Sequence, residues 1–181
     1  MKRLTVTLVA AGLLLGANGA DASNPGSSSV TVPKSGPVKT KPVTWSGKVP
    51  NGSTILDPGF GLTCNGQPSS QLYDSHSVKV TVPAGAYKIV KATMSIAVQS
   101  SPLLNGDFIE VLDPSGASVG MDGQKGEMVV DVFNPVPGVY KVLVCTFIPD
   151  AVPDHDYTAN VTIKTKCKAA SPCPAPPKRR R

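Results

Sequence analysis

The chain has 181 residues, among them 18 Pro and 17 Gly, with 5% aromatic and 17% charged residues. That composition, poor in Leu and rich in Val and Thr, bounds it at one principal domain built of strands and turns rather than helices. The net charge of +6 belongs to the chain ends: between residues 43 and 166 eight Lys and no Arg stand against eleven Asp and Glu. Such a balance lacks the basic, aromatic-bearing face of a nucleic-acid binder, so no nucleic-acid partner is expected.

Residues 1–22 open with Lys2 and Arg3, continue in an apolar run from Leu4 to Leu15, and end in Ala20-Asp21-Ala22. Charge, short apolar run and small-residue A-x-A site predict a secretory signal peptide. The run is too short for a spanning helix, which needs about 20 apolar residues. The mature N-terminus is expected at Ser23 or Asp21, and the protein in a secreted or periplasmic compartment. No later apolar stretch is long enough to cross a membrane as a helix.

Residues 23–42 contain Asn24-Pro25-Gly26-Ser27-Ser28-Ser29, Pro33, Gly36, Pro37 and Pro42. They are read as a flexible linker, since such a segment has little apolar surface to bury. A β-domain is expected over residues 43–166. Within it Val78, Val80 and Val82 alternate with polar residues, as do Ala92, Met94, Ile96 and Val98. Met128, Val130 and Val132 form a third such set, and Tyr157, Ala159, Val161 and Ile163 a fourth. Period-two patterns predict half-buried antiparallel strands. The segments 108–112 and 140–147 are apolar on both faces and predict central strands. Asp113-Pro114-Ser115-Gly116 and Asn134-Pro135-Val136-Pro137-Gly138 are turn sequences. Residues 167–181, with Pro172, Pro174, Pro176, Pro177, Lys178 and Arg179 to Arg181, read as an extended basic tail able to touch anionic surfaces.

Four cysteines in an exported chain suggest two disulfides, and three pairings are possible. Cys167 and Cys173 are neighbours in sequence, while Cys64 and Cys145 lie within the β region. Cys64–Cys145 with Cys167–Cys173 is the simplest scheme. Zinc is the rival use, but no C-x-x-C pair exists and neither His has metal-site spacing to a Cys.

Asp107-Phe108-Ile109-Glu110-Val111-Leu112-Asp113-Pro114-Ser115-Gly116 is followed by Pro137-Gly138-Val139-Tyr140-Lys141-Val142-Leu143-Val144 and by Asp156-Tyr157-Thr158-Ala159-Asn160-Val161. This order resembles the bacterial pre-peptidase C-terminal domains over residues 75–164, and more loosely the CUB and carbohydrate-binding jelly rolls. The resemblance implies a β-sandwich that accompanies secreted enzymes without doing their chemistry. Cys64 and Cys145 are not part of that pattern.

Candidate chemistry is sparse. His76, in Asp74-Ser75-His76-Ser77, and His155, beside Asp154 and Asp156, read as surface histidines. No G-x-S-x-G elbow accompanies them. Glu110 and Asp113 could form a carboxylate pair, but Asp113 is explained by its turn. Asp107, Asp113, Asp122, Asp154 and Asp156 are weak calcium candidates, because a hard cation needs several loop oxygens. Trp45 is either a ligand-facing aromatic or a residue packed at the sandwich edge. Asn51 and Asn160 head glycosylation sequons. No catalytic residue and no cofactor is assigned. The expected protein is an all-β antiparallel sandwich, jelly-roll-like, that binds a protein or glycan without catalysis. The alternatives are a secreted hydrolase with an unrecognised site and a structural cell-envelope protein.

Overall fold

In the computed structural model the described residues are 23–49, 64, 73–100, 107–123, 127–146, 155–168 and 173. The expected signal peptide, Asp154, the Asn51 sequon and most of the tail lie outside them. Among the described residues ten strands form: β1 (Ser27–Thr31), β2 (Val38–Lys39), β3 (Val43–Val49), β4 (Asp74–Thr81), β5 (Val90–Ser100), β6 (Asp107–Leu112), β7 (Ser118–Asp122), β8 (Glu127–Phe133), β9 (Gly138–Thr146) and β10 (His155–Cys167). One helical turn, α1 (Ala86–Ile89), precedes β5.

The strands make two packed sheets, which is the all-β sandwich that the alternation predicts. The first runs β1-β4-β9-β6-β7; the second runs β2-β10-β5-β8, with β3 also paired to β10. All pairings are antiparallel except β1 with β4. The core lies between the sheets, where every second residue of β4, β5, β8 and β10 is buried: Val78 and Val80, Met94 and Ile96, Met128 and Val130, Val161 and Ile163. Removing such side chains from water, at ~25 cal/mol per Å² of apolar surface, supplies the main stabilising term.

β6 and β9 are apolar on both faces for a physical reason. Ile109, Val111, Val142 and Val144 point into the main core. Leu112, Leu143 and Cys145 form a second buried cluster with Cys64, flanked by Tyr73 and Phe108. Cys64 is bonded to Cys145 across a separation of 81 residues, and Cys167 to Cys173 across 6. Between β6 and β7 the Asp113 carboxylate accepts from the Ser115 and Ala117 N–H groups at 2.8 and 3.1 Å. Gly116 follows at φ 87°, a left-handed conformation that favours glycine.

Residues 23–42 are not a flexible linker, and the folded unit does not begin at residue 43. β1 pairs with β4 from Ser27↔Ser77 to Thr31↔Thr81, and Val30 and Val32 are buried. β2 pairs with β10. Composition misleads here because an edge strand borrows its core from its neighbour, so two buried valines suffice among prolines and serines.

Candidate functional site

Two polar pairs, Asp74 with Tyr157 and Asp107 with His155, cross the sandwich between its sheets. β4 alternates Asp74, His76, Val78, so both polar residues share the phase of the buried valines. Asp74 is met from β10 by the Tyr157 hydroxyl, which donates to Oδ2 at 2.7 Å. The main-chain N–H of Ser23 donates to Oδ1 at 3.2 Å, and those of Ser75 and Lys48 also point to the carboxylate. Burial pushes the Asp74 pKa up, and these hydrogen bonds oppose the shift. Tyr157 is raised well beyond the usual phenol range by burial and by the Asp74 charge. Gly47 sits against the pair, and a Cβ there would overlap the Asp74 carboxylate and the Tyr157 ring.

His76 is 1% exposed, so its reading as a surface histidine is corrected. Its ring stacks on Trp45 with centroids 4.0 Å apart and planes 6° from parallel. Nδ1 lies 3.1 Å from Ser23 Oγ and Nε2 2.9 Å from Ser28 Oγ. Burial lowers its pKa to about 4. The Ser28–His76 contact is the arrangement nearest to a nucleophile and its base. Yet a base that holds its proton only near pH 4 is poorly matched to neutral working pH, and a hydroxyl stands at Nδ1 where a triad needs a carboxylate. His155 is likewise not a surface residue: its Nε2 lies 3.0 and 2.9 Å from the two oxygens of buried Asp107.

Trp45 is 3% exposed and packs in the core, although it also borders the groove described below. Its Nε1 makes no well-formed hydrogen bond, although it lies near the Tyr157 hydroxyl. The calcium candidates among the described residues are not brought together. Asp107 is held by His155. Asp113 serves its own turn. Asp122 Oδ2 accepts from Val129 N at 2.7 Å. Asp156 is exposed on β10, and Asp154 lies outside the described residues. Among the described residues no three His, Cys, Asp or Glu converge on one point. Glu110 is buried, 2% exposed, while Asp113 faces its loop, so the two do not flank a common cleft.

The outer face of the β2-β10-β5-β8 sheet is accessible at both of its ends. At one end lies a groove of about 430 Å³, bordered by Asn24, Ser46, Gln99, Glu127, Thr158 and Asn160. At the other end is a smaller cleft of about 220 Å³ between Lys91, Thr93, Phe133, Asn134, Lys164 and Lys166. Thr158 and Lys166 are eight residues apart on β10, a span of roughly 26 Å along a strand. Lys39 stands directly opposite Lys164, and Lys91 directly opposite Lys166. All four lysines are exposed, and Phe133 is 74% exposed beside them. Like charges directly opposite each other across a sheet are destabilising. The central region is acidic by count, but strand register gathers lysines from three strands onto one end of one face.

The chain matches no protein-family profile and no curated protein sequence. Among solved structures it is similar to the pre-peptidase C-terminal domain of collagenase from Bacillus anthracis. The identity is 12%, 75% of this chain and 93% of that chain are covered, and the TM-score is 0.43. It is also similar to PliG of Aeromonas hydrophila, a periplasmic lysozyme inhibitor of g-type lysozyme. There the identity is 13%, with 77% and 99% covered and a TM-score of 0.33. The first of these is the kind of domain that the sequence resembles.

Proposed function

We propose that the chain is an exported, non-catalytic binding module that recognises an acidic glycan or protein through the outer face of the β2-β10-β5-β8 sheet. The observation that carries this reading is the lysine end of that face. Two like-charged cross-strand pairs, Lys39–Lys164 and Lys91–Lys166, cost the free protein stability. An anionic partner lying across them would reverse the sign of that cost. Export is supported by the pattern of residues 1–22 and by two disulfides, which persist in oxidising compartments. A non-catalytic role is supported by the burial of Asp74, His76, Asp107 and Tyr157 and by the Tyr157–Asp74 and His155–Asp107 contacts.

The test is equilibrium binding of the mature protein to polygalacturonate, dextran sulfate and polyglutamate, with dextran as the neutral control and a single-stranded oligonucleotide as a further arm. The wild type is expected to bind the acidic glycans or the acidic polypeptide and not dextran. A triple Lys91→Gln, Lys164→Gln, Lys166→Gln variant should bind at least tenfold more weakly, while Ser28→Ala should bind as the wild type does. Equal binding by the triple variant would overturn the reading, and so would exclusive binding of the oligonucleotide.

A further inference from the structure

Ser23 sits where a polar, N-terminal residue has no evident reason to be buried. It is 3% exposed. Its main-chain nitrogen faces Asp74 Oδ1 at 3.2 Å, and its hydroxyl is 3.2 Å from Ser75 O and 3.1 Å from His76 Nδ1. The next residue is fixed as well. Asn24 N donates to Ser46 O at 2.7 Å, and Ser46 N donates to Asn24 O at 3.1 Å. The nitrogen of Ser23 is therefore anchored on the β4 side by its own contacts and on the β3 side by its neighbour. Among the described residues, every hydrogen bond acting on the Asp74 carboxylate comes from a neutral donor: Tyr157, Ser75, Ser23 and Lys48, the last three through main-chain N–H groups. A buried carboxylate held only by neutral donors is costly, and a cation at hydrogen-bond distance would relieve that cost.

The residue whose nitrogen faces Asp74 is also the first residue after Ala20-Asp21-Ala22. We propose that cleavage between Ala22 and Ser23 converts this amide donor into an α-ammonium group, whose ion pair with Asp74 locks the start of the chain onto the sandwich. This rests on the export reading. The step is a hydrolysis by an endopeptidase of the export machinery. Water adds across the Ala22–Ser23 peptide bond, Ala22 leaves as a carboxylate, and the Ser23 nitrogen becomes an amine that is protonated at neutral pH, where α-amino groups titrate near 7.7–8.0. Cleavage after Ala20 would instead place the ammonium two residues upstream and leave the Asp21 carboxylate beside it. Processing at Ser23 thus completes a contact that the precursor has only in its neutral form, and strand β1 is held more firmly once the leader is gone.

The experiment begins with the intact mass of the full chain exported from a secreting host, which should correspond to a start at Ser23. Four proteins are then compared by thermal unfolding: the mature form, a form retaining one residue ahead of Ser23, mature Asp74→Asn, and the combination. Retaining the residue should lower Tm by roughly 4 °C, and it should have no such effect in the Asp74→Asn background. A second readout is independent of how well Asp74→Asn folds. Acylation of the α-amine by a succinimidyl ester should be at least tenfold slower in the mature form than in the extended one. A mature chain beginning at Asp21, or still carrying Met1, would overturn the export reading or its cleavage site. A Ser23 terminus with additive Tm effects, or with equal amine reactivity in the two forms, would overturn the ion pair alone.

Discussion

Replacing His76 with Gln should remove most of the acid sensitivity of this fold. The imidazole is buried against Trp45, and burial lowers its pKa from 6.5 to about 4. In the unfolded chain the group takes up a proton near pH 6.5, while in the folded chain it resists until about pH 4. The stability that depends on a neutral His76 is therefore intact above pH 6.5 and is lost as pH falls from there toward 4. Linkage gives a loss of about 2 kcal/mol by pH 5 and about 3 kcal/mol by pH 4. Asp74 acts in the opposite sense. Its raised pKa means the folded carboxyl accepts a proton first, so stability rises as pH falls through that value. Comparing wild type with His76→Gln at each pH cancels the Asp74 contribution. The chain has one tryptophan, so urea unfolding can be followed by Trp45 fluorescence between pH 7 and 4. The difference in unfolding free energy between the two proteins should change by about 2 kcal/mol between pH 7 and 5, against the wild type. Parallel stability curves over that range would refute the argument that His76 is held neutral by burial.

Other outcomes follow from the same geometry. Replacing Cys64 and Cys145 by Ala should cost about 4 kcal/mol in denaturant unfolding, and replacing Cys167 and Cys173 about 2 kcal/mol, because the closed loops differ so much in length. Gly47→Ala should destabilise by roughly 1–3 kcal/mol, and a loss below a few tenths would contradict the close approach of Asp74 and Tyr157 to that backbone. Lys91→Glu turns a like-charged pair with Lys166 into an opposite one. It should stabilise the protein by a few tenths to about 1 kcal/mol at low salt while weakening acidic-ligand binding, and an unchanged or lower stability would contradict the pairing.

The fold was legible where a strand carries its own alternation. β4, β5, β8 and β10 each place every second apolar residue in the core, and the two-faced β6 and β9 follow from a second cluster on their outer side. β1 and β2 were hidden because an edge strand of two to five residues needs few apolar positions. β7 (Ser118–Asp122) was hidden because it is partly exposed on both faces. The polar pairs could not be read locally: Tyr157 and Asp74 are 83 residues apart, and His155 and Asp107 are 48 apart. One signal for His76 was nevertheless present, since it shares the phase of Val78 and Val80, and that phase outweighs its polar neighbours. The lysine end of the outer face escaped a count of charges because it is assembled by register from β2, β5 and β10.

Recognition through those lysines is tested most directly by the salt dependence of affinity. Dextran sulfate affinity of the mature wild type would be measured from about 0.05 to 0.5 M NaCl, over which the screening length falls from well above the lysine spacing to below it. The wild type should lose at least tenfold in affinity, and the Lys91→Gln, Lys164→Gln, Lys166→Gln variant should show a weak, nearly flat dependence. Affinity that is independent of salt in the wild type, or an equally steep dependence in the variant, would contradict recognition through those lysines.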